Sequence, residues 1–165
     1  MKLPTVYLTR WETGEAMRDA YQRTKRWVGN HQLWTDTLDN VNVQGALGEA
    51  AAAKYFGLSY VRKDQWQAGD SDLSNDIEVK TTMYDHLIIQ GNNKLSRRYV
   101  LVQKQRDKGY HYTIMGWAYG HEIAAWGTYY APASERGGKY GSYWLEARML
   151  HDPAELKAQL VLEQI

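Results

Sequence analysis

The chain has 165 residues, with 20 lysines and arginines against 19 aspartates and glutamates, a formal net charge of +1 and no cysteine. These values suit one compact domain and exclude disulfides, thiol nucleophiles, iron–sulfur clusters and cysteine-ligated zinc. No stretch approaches the ~20 consecutive apolar residues of a membrane helix, and the first residues lack the apolar run of a signal peptide, so we expect a cytoplasmic protein without a membrane partner.

The N-terminal part of the chain is predicted to be helical. Apolar and aromatic residues recur at helical spacing over residues 13–34, and the alanine-rich segment 43–56 ends at Gly57, which is typical of a helix terminus. Small residues such as Gly45 and Gly48 would let another element approach the second helix closely.

After Gly57 the pattern changes to short strands. Runs rich in β-branched and aromatic residues predict strands at 58–61, 77–82, 86–90, 99–103 and 110–118. Short helices are expected at 121–126 and at 153–164, where Asp152 is the N-cap and Pro153 begins the first turn. The glycine-rich segment 131–142 is typical of a mobile loop. This order predicts an α/β or α+β domain with a central sheet.

The stretch 69–82, with the sequence GDSDLSNDIEVKTT, carries the most informative chemistry. If residues 76–82 form a strand, its period of two places Asp76, Glu78 and Lys80 on one face. Alternating charged and apolar residues are also typical of any half-exposed strand, so these residues alone support a structural and a catalytic interpretation equally.

A tight hairpin at the Ser-Asn turn would bring Asp70 or Asp72 beside Glu78. Oxygen ligands of this kind suit Mg²⁺, which needs only one or two protein carboxylates because it keeps several waters. A lysine nearby, such as Lys80, can orient or deprotonate an attacking water and offset charge on a phosphate.

These motifs resemble those of the PD-(D/E)XK nuclease superfamily, in particular its small phage or bacterial members. In that superfamily a helix with an acidic residue precedes a strand hairpin that carries an Asp and a Glu-x-Lys. Glu78-Val79-Lys80 matches the Glu-x-Lys, and Glu49 is the only acidic residue of the helix predicted at 43–56. No Pro-Asp dipeptide precedes them, so Asp70, Asp72 and Asp76 compete for the first ligand.

The resemblance implies a restriction-endonuclease-like core, with a central mixed β-sheet flanked by helices. The single domain would comprise an N-terminal helical extension (1–42), the core (43–126), and a loop and C-terminal helix (127–165). It further implies a nuclease that hydrolyses DNA phosphodiester bonds with Mg²⁺ or Mn²⁺.

The resemblance also implies roles for the site residues. Asp72 and Glu78 would hold the metal together with the Val79 carbonyl, Lys80 would position the attacking water, and Glu49 would complete the outer ligand sphere or bind a second metal. Asp72 is preferred because the turn places it across from Glu78, Asp70 is second, and Asp76 would lie within the turn and support the ligands.

Basic residues bracket the strand predicted at 99–103 and could neutralise phosphates on either side of the acidic site. They include Lys94, Arg97, Arg98 and Lys104. Arg136 and Lys139 in the glycine-rich loop could close over a bound strand. By analogy with such catalytic domains we also consider a homodimer, with the tryptophan-rich N-terminal helix as its first candidate surface.

Two other functions remain open. One is a catalytically inactive nucleic-acid-binding module of the same fold, and the other is a protein-interaction α+β domain whose tyrosines and tryptophans form the interface. The histidines lack the paired spacing of a zinc site, and no phosphate-binding G-x-x-x-x-G-K-[ST] pattern occurs, which argues against an NTPase.

Overall fold

The structure, a computed structural model, describes residues 2–28, 41–60 and 70–165. Within those ranges it contains four α-helices and seven β-strands. The helices are α1 (Arg10–Val28), α2 (Val41–Phe56), α3 (Gly120–Trp126) and α4 (Pro153–Glu163). The strands are β1 (Thr5–Tyr7), β2 (Ile77–Thr82), β3 (His86–Gln90), β4 (Arg98–Lys104), β5 (His111–Tyr119), β6 (Thr128–Tyr130) and β7 (Ser142–Glu146).

The first sheet is mixed and has four strands in the order β1-β5-β4-β2. Strands β2 and β4 run parallel, from the pair Ile77 and Arg98 to the pair Thr82 and Gln103, while β5 is antiparallel to both β4 and β1. Strand β2 therefore lies at the edge of the sheet. The expected mixed α/β class with a mixed sheet is confirmed at this level.

A second sheet of three antiparallel strands has the order β3-β7-β6. We had predicted β3 at its observed bounds but expected one central sheet. Strand β3 does not belong to the first sheet; it pairs with β7, more than fifty residues further along the chain. This pairing depends on tertiary packing, which strand propensity does not encode.

Helix α2 packs against the first sheet and is buried on almost every side. Its alanines 46 and 51–53 join the main apolar core together with Ile77, Val79 and Val100 of the sheet. Gly48 permits the closest approach, because a Cβ at that position would lie 1.7 Å from the Thr81 Oγ1 atom of β2. The helix ends as predicted at Gly57, whose φ of 70° is left-handed, and the amide of Leu58 then bonds to the Ala53 carbonyl.

A smaller core lies where the two sheets and α3 meet. It is formed by Leu87, Ile89, Tyr99, Leu101, Ala118, Ile123 and Leu145. The inner face of the second sheet is therefore packed against the rest of the protein. The face that carries Glu78 and Lys80 in β2 is on this side of the first sheet, because Tyr99 and Leu101 are their pairing partners in β4.

Helices α4 and α1 both begin at residues that cap the helix through their side chains. Helix α4 begins as predicted, with the Asp152 carboxylate accepting from the Ala154 amide at 2.9 Å. Helix α1 begins three residues before the predicted start, because Thr9 and Glu12 form a reciprocal capping box. The predicted continuation over 29–34 lies outside the described residues.

The strand predicted at 58–61 is reduced to a single bridge between Tyr60 and Leu73 in the described residues, and position 61 lies outside them. The segment 131–141 consists of turns and joins β6 to β7. Among the helices that the structure describes, none has the length and apolar character needed to cross a membrane.

Candidate functional site

The site is organised by a tight reversal of the chain before β2. The Leu73 amide donates to the Ile77 carbonyl at 3.0 Å, and this antiparallel pairing places Asp72 opposite Glu78. Asn75 and Asp76, between them, have φ angles of 61° and 56°. Asn and Asp tolerate the left-handed region better than other residues with a Cβ, so the sequence suits this turn.

Asp72 is held against the exposed edge of β2. Its Oδ2 atom accepts a hydrogen bond of 2.9 Å from the Val79 amide. Among the described strands, β2 pairs only with β4, so this amide would otherwise face outward from the sheet. Asp72 thus satisfies an edge donor and lies beside the Glu78–Lys80 stretch, whereas Asp70 is exposed further from the turn.

Glu78 and Lys80 point from the same face of β2, as their spacing predicted. The Lys80 Nζ atom lies 3.2 Å from Glu78 Oε1. Both side chains are partly buried, with exposed fractions of 33% for Lys80 and 19% for Glu78. Partial burial strengthens their interaction relative to a pair in bulk water and leaves the ammonium accessible from one side.

Arg97 completes the charge cluster from the segment that precedes β4. Its side chain is 9% exposed, its Nε atom donates to Asp76 Oδ1 at 2.9 Å, and its Nη1 atom donates to Glu78 Oε2 at 3.2 Å. Burial disfavours the charged guanidinium, but the hydrogen bond and charge of Asp76, followed by the charge of Glu78, outweigh it and raise the pKa of Arg97. Both oxygens of Glu78 therefore have cationic partners.

Tyr99 forms the buried floor beside Glu78, its pairing partner in β4. The hydroxyl donates to the Lys94 carbonyl at 2.9 Å. Burial, followed by the negative charge of Glu78, raises the pKa of Tyr99 to about 12, so the phenol is neutral at ordinary pH.

Glu49 is buried in α2, with 4% of its surface exposed, and follows the glycine that contacts β2. The structure thus places this acid on the helix that packs against the site strand. Within the described ranges, however, no three histidine, aspartate or glutamate side chains form a group that could hold a metal ion.

The four basic residues expected at phosphates have different surroundings. Lys94 is exposed and Lys104 partly so, but Arg97 is buried within the charge cluster. Arg98 donates to both oxygens of Glu163, at 2.8 and 3.2 Å, and to the Asn75 carbonyl at 2.7 Å. Both arginines therefore bind carboxylates of the protein itself. The clustering of basic residues in the sequence did not indicate these ion pairs.

A separate groove of about 610 Å³ lies between α1 and α2. Its lining includes Glu12 and Lys54, which form an ion pair at 2.8 Å, and Tyr60, whose hydroxyl donates to Asp19 at 2.7 Å. Trp11 at its rim is 74% exposed. The sequence analysis did not predict this groove, because it is formed by residues distant in the chain.

Comparison with known proteins gives no match: no family model, no curated protein and no solved structure is significantly similar to this chain.

Proposed function

We propose that the protein is a divalent-metal-dependent nuclease of the PD-(D/E)XK type, which hydrolyses DNA phosphodiester bonds on a restriction-endonuclease-like core. The observation that carries the proposal is the contact of Asp72 with the Val79 amide, which sets this carboxylate against the strand that bears Glu78 and Lys80. An acid from the hairpin and a Glu-x-Lys on an edge strand are the elements that this chemistry requires.

The donors at this position fit a hard cation. Asp72 and Glu78 supply carboxylates and Val79 a carbonyl, and Mg²⁺ or Mn²⁺ with so few protein ligands would keep several waters. A metal bound there would stabilise charge on the phosphate and on the leaving oxygen. Because no group of three acidic or histidine side chains that could hold a metal forms within the described ranges, we assign Glu49 a supporting role from α2.

The remaining residues of the cluster would serve the reaction without binding metal. Lys80 contacts Glu78 and has an accessible side, so its ammonium would orient an attacking water and hold it beside the phosphate. Arg97 fixes Glu78 and Asp76 through two of its nitrogens, which limits the positions that the Glu78 carboxylate can adopt. We assign contacts with DNA phosphates to Lys94, which is exposed, and to Lys104, which is partly exposed.

A catalytically inactive nucleic-acid-binding module is the second candidate. It is favoured by one observation: Lys80 and Arg97 already contact both oxygens of Glu78. Such a cluster is charge-compensated without any metal, and an inactive domain could retain it for stability alone. The two candidates differ in whether the cluster binds a divalent cation.

Conservative variants distinguish the nuclease from the inactive binding module. Asp72→Asn retains an acceptor for the Val79 amide but loses the charge, Glu78→Gln removes the charge of the second carboxylate, and Lys80→Met removes the ammonium at similar volume. We expect the first two to lose Mn²⁺ binding in calorimetric titration and all three to cut DNA at least ~100-fold more slowly. Lys80→Met should keep its affinity for the metal.

The substrates are linear, circular, branched and single-stranded DNA, each with Mg²⁺, Mn²⁺ or EDTA. Asp107→Asn, at an exposed turn away from the cluster, is the matched control and should cut at the wild-type rate. Wild-type protein that binds DNA but neither binds Mn²⁺ nor cuts any substrate would favour the binding module. Full activity of folded Lys80→Met would overturn the catalytic assignment.

A further inference from the structure

The outer face of the second sheet carries aromatic rings in a continuous row. The register of the three strands places His86 and Ile88 of β3, Trp144 of β7 and Tyr130 of β6 on this face. The opposite face supplies Leu87, Ile89 and Leu145 to the smaller core. The outer rings are only partly buried and do not belong to either core of the described residues.

The rings contact one another across the strands. The Trp144 ring centroid lies 5.4 Å from that of Tyr130 and 5.9 Å from that of His86. The Trp144 indole nitrogen donates to the Ser142 hydroxyl at 2.8 Å, and this hydroxyl donates to the Arg136 carbonyl at 2.6 Å. Hydrogen bonds therefore position the indole and the loop beside it, and the His86 and Tyr130 ring planes are inclined to the indole by 60° and 66°.

The loop between β6 and β7 adds positive charge to this row. The Arg136 guanidinium lies 5.2 Å from the Trp144 ring and 5.4 Å from the Tyr130 ring, and its Nη1 atom donates to the Tyr130 hydroxyl. Lys139 lies over Tyr140 in the same loop, and Glu135 is the only acid there, so residues 131–141 carry a net charge of +1. At the far end of the row, Glu146 is paired with Arg148.

A short segment of chain joins the row to the candidate catalytic strand. Only residues 83–85 separate β2 from β3, so His86 is six residues from Lys80, a span of at most ~20 Å. Tyr84, in between, is 68% exposed and has its carbonyl bonded to Gln103.

We propose that this outer face, defined by His86, Trp144, Tyr130 and Arg136, is a stacking platform for the bases of single-stranded DNA. Aromatic side chains beside cations are the usual means of binding unpaired bases without sequence preference, whereas paired bases within a duplex cannot reach such rings. Neutral carbohydrates also stack on aromatic rings but carry no negative charge to attract Arg136 and Lys139. The inference rests on the proposed function for the choice of DNA and names unpaired strands as its substrate class.

The test measures binding in EDTA, where no cutting occurs. The probes are a short labelled deoxythymidine strand, the same strand with abasic sites, and its duplex, each titrated by fluorescence anisotropy. We expect wild-type protein to bind the thymidine strand ~10-fold or more tightly than the abasic strand or the duplex, which is the size expected from loss of one or two stacked bases. This comparison uses only the wild-type protein.

Variants then locate the surface. Trp144→Ala and, separately, Tyr130→Ala should bind the thymidine strand ~10-fold more weakly and lose the preference over the abasic strand. Trp11→Ala, which removes an exposed tryptophan from α1, should bind as the wild type does. Circular dichroism and melting curves identify any variant that fails to fold, and the other variant then decides.

Equal affinity for thymidine and abasic strands, unchanged binding by folded Trp144→Ala and Tyr130→Ala, or displacement of the strand by a neutral polysaccharide would each overturn the platform. Failure of the proposed nuclease is a separate result. It would appear as base-dependent binding by the wild type with no cutting in Mg²⁺ or Mn²⁺, whereas loss of the platform alone would leave metal-dependent cutting intact.

Discussion

Arg97 shows how strongly the surroundings of one side chain determine its role. In the sequence it is one of several basic residues flanking a strand, and we expected it to contact phosphates. In the structure it is buried, and its guanidinium has two carboxylate partners, Asp76 and Glu78. The planar fork of arginine suits such double contacts, and its pKa is already too high for deprotonation to relieve the cost of burial. Arg97 is thus part of the internal support of the site.

Replacing Arg97 by methionine should measure this support. The substitution keeps much of the volume but leaves Glu78 with one cation, and we expect the free energy of unfolding in EDTA to fall by about 2 kcal/mol, less than for a fully buried pair because Asp76 is half exposed. Arg18→Met removes the exposed pair with Glu15 and should change stability by ~0.5 kcal/mol or less. Urea titrations of both variants at one pH make the comparison, and equal losses would contradict the buried role.

At the scale of secondary-structure elements, those that depend on local sequence patterns were predicted most accurately. Strands β2 and β3 and the alanine-rich α2 were predicted nearly to the residue, because alternation and helix propensity are local. The capping box of Thr9 and Glu12 was present in the sequence as T-x-x-E but was not used, so the start of α1 was missed. Strands β1, β6 and β7 were not predicted. Strands β1 and β6 have only three residues each, and the partner of β1 is β5, more than 100 residues further along the chain.

Two glycines of α2 give opposite predictions for the same substitution. Gly48→Ala would place a methyl group 1.7 Å from the Thr81 Oγ1 atom, so the helix must move from β2, and we expect a loss of about 1–3 kcal/mol in the free energy of unfolding. Gly45→Ala meets no atom within 4 Å and should gain about 0.5–1 kcal/mol from helix propensity. Chemical denaturation decides, and a stable Gly48→Ala would refute the close contact.

For the molecule as a whole, the local part of the candidate site could be predicted and its setting could not. The hairpin that brings Asp72 against the strand of Glu78 and Lys80 was expected from the Ser-Asn turn and the period of two. The division into two sheets, and with it the aromatic outer face, depends on β3 pairing with β7 across a long segment of chain. Glu49 was expected on a helix near the site, and its position beside the Gly48 contact depends on packing between α2 and the sheet.

The C-terminal helix also reaches the site hairpin, through contacts that no local pattern reveals. Glu163, in the last turn of α4, accepts hydrogen bonds from the Arg98 guanidinium and, at 3.2 Å, from the side-chain Nδ2 atom of Asn75. Arg98 in turn donates to the backbone carbonyl of Asn75. The turn that carries Asp76 is therefore tied to the end of the chain. The hydrogen bond from Arg98 outweighs a small effect of burial and lowers the pKa of Glu163 from its ordinary value of 4.5.

Glu163→Gln should weaken this tie in a pH-dependent way. Because the folded pKa is lowered, the stabilisation is fully present above pH ~4.5 and is lost as the pH falls through the lowered pKa. We expect the variant to be less stable by about 0.5–1 kcal/mol at pH 7, discounted for the exposure of Glu163, with the difference shrinking as the pH falls below ~4.5. Urea titrations from pH 3 to pH 7, with exposed Glu135→Gln as the control for charge removal, measure it. A difference that stays constant across this range would show that Glu163 does not hold the hairpin through its charge.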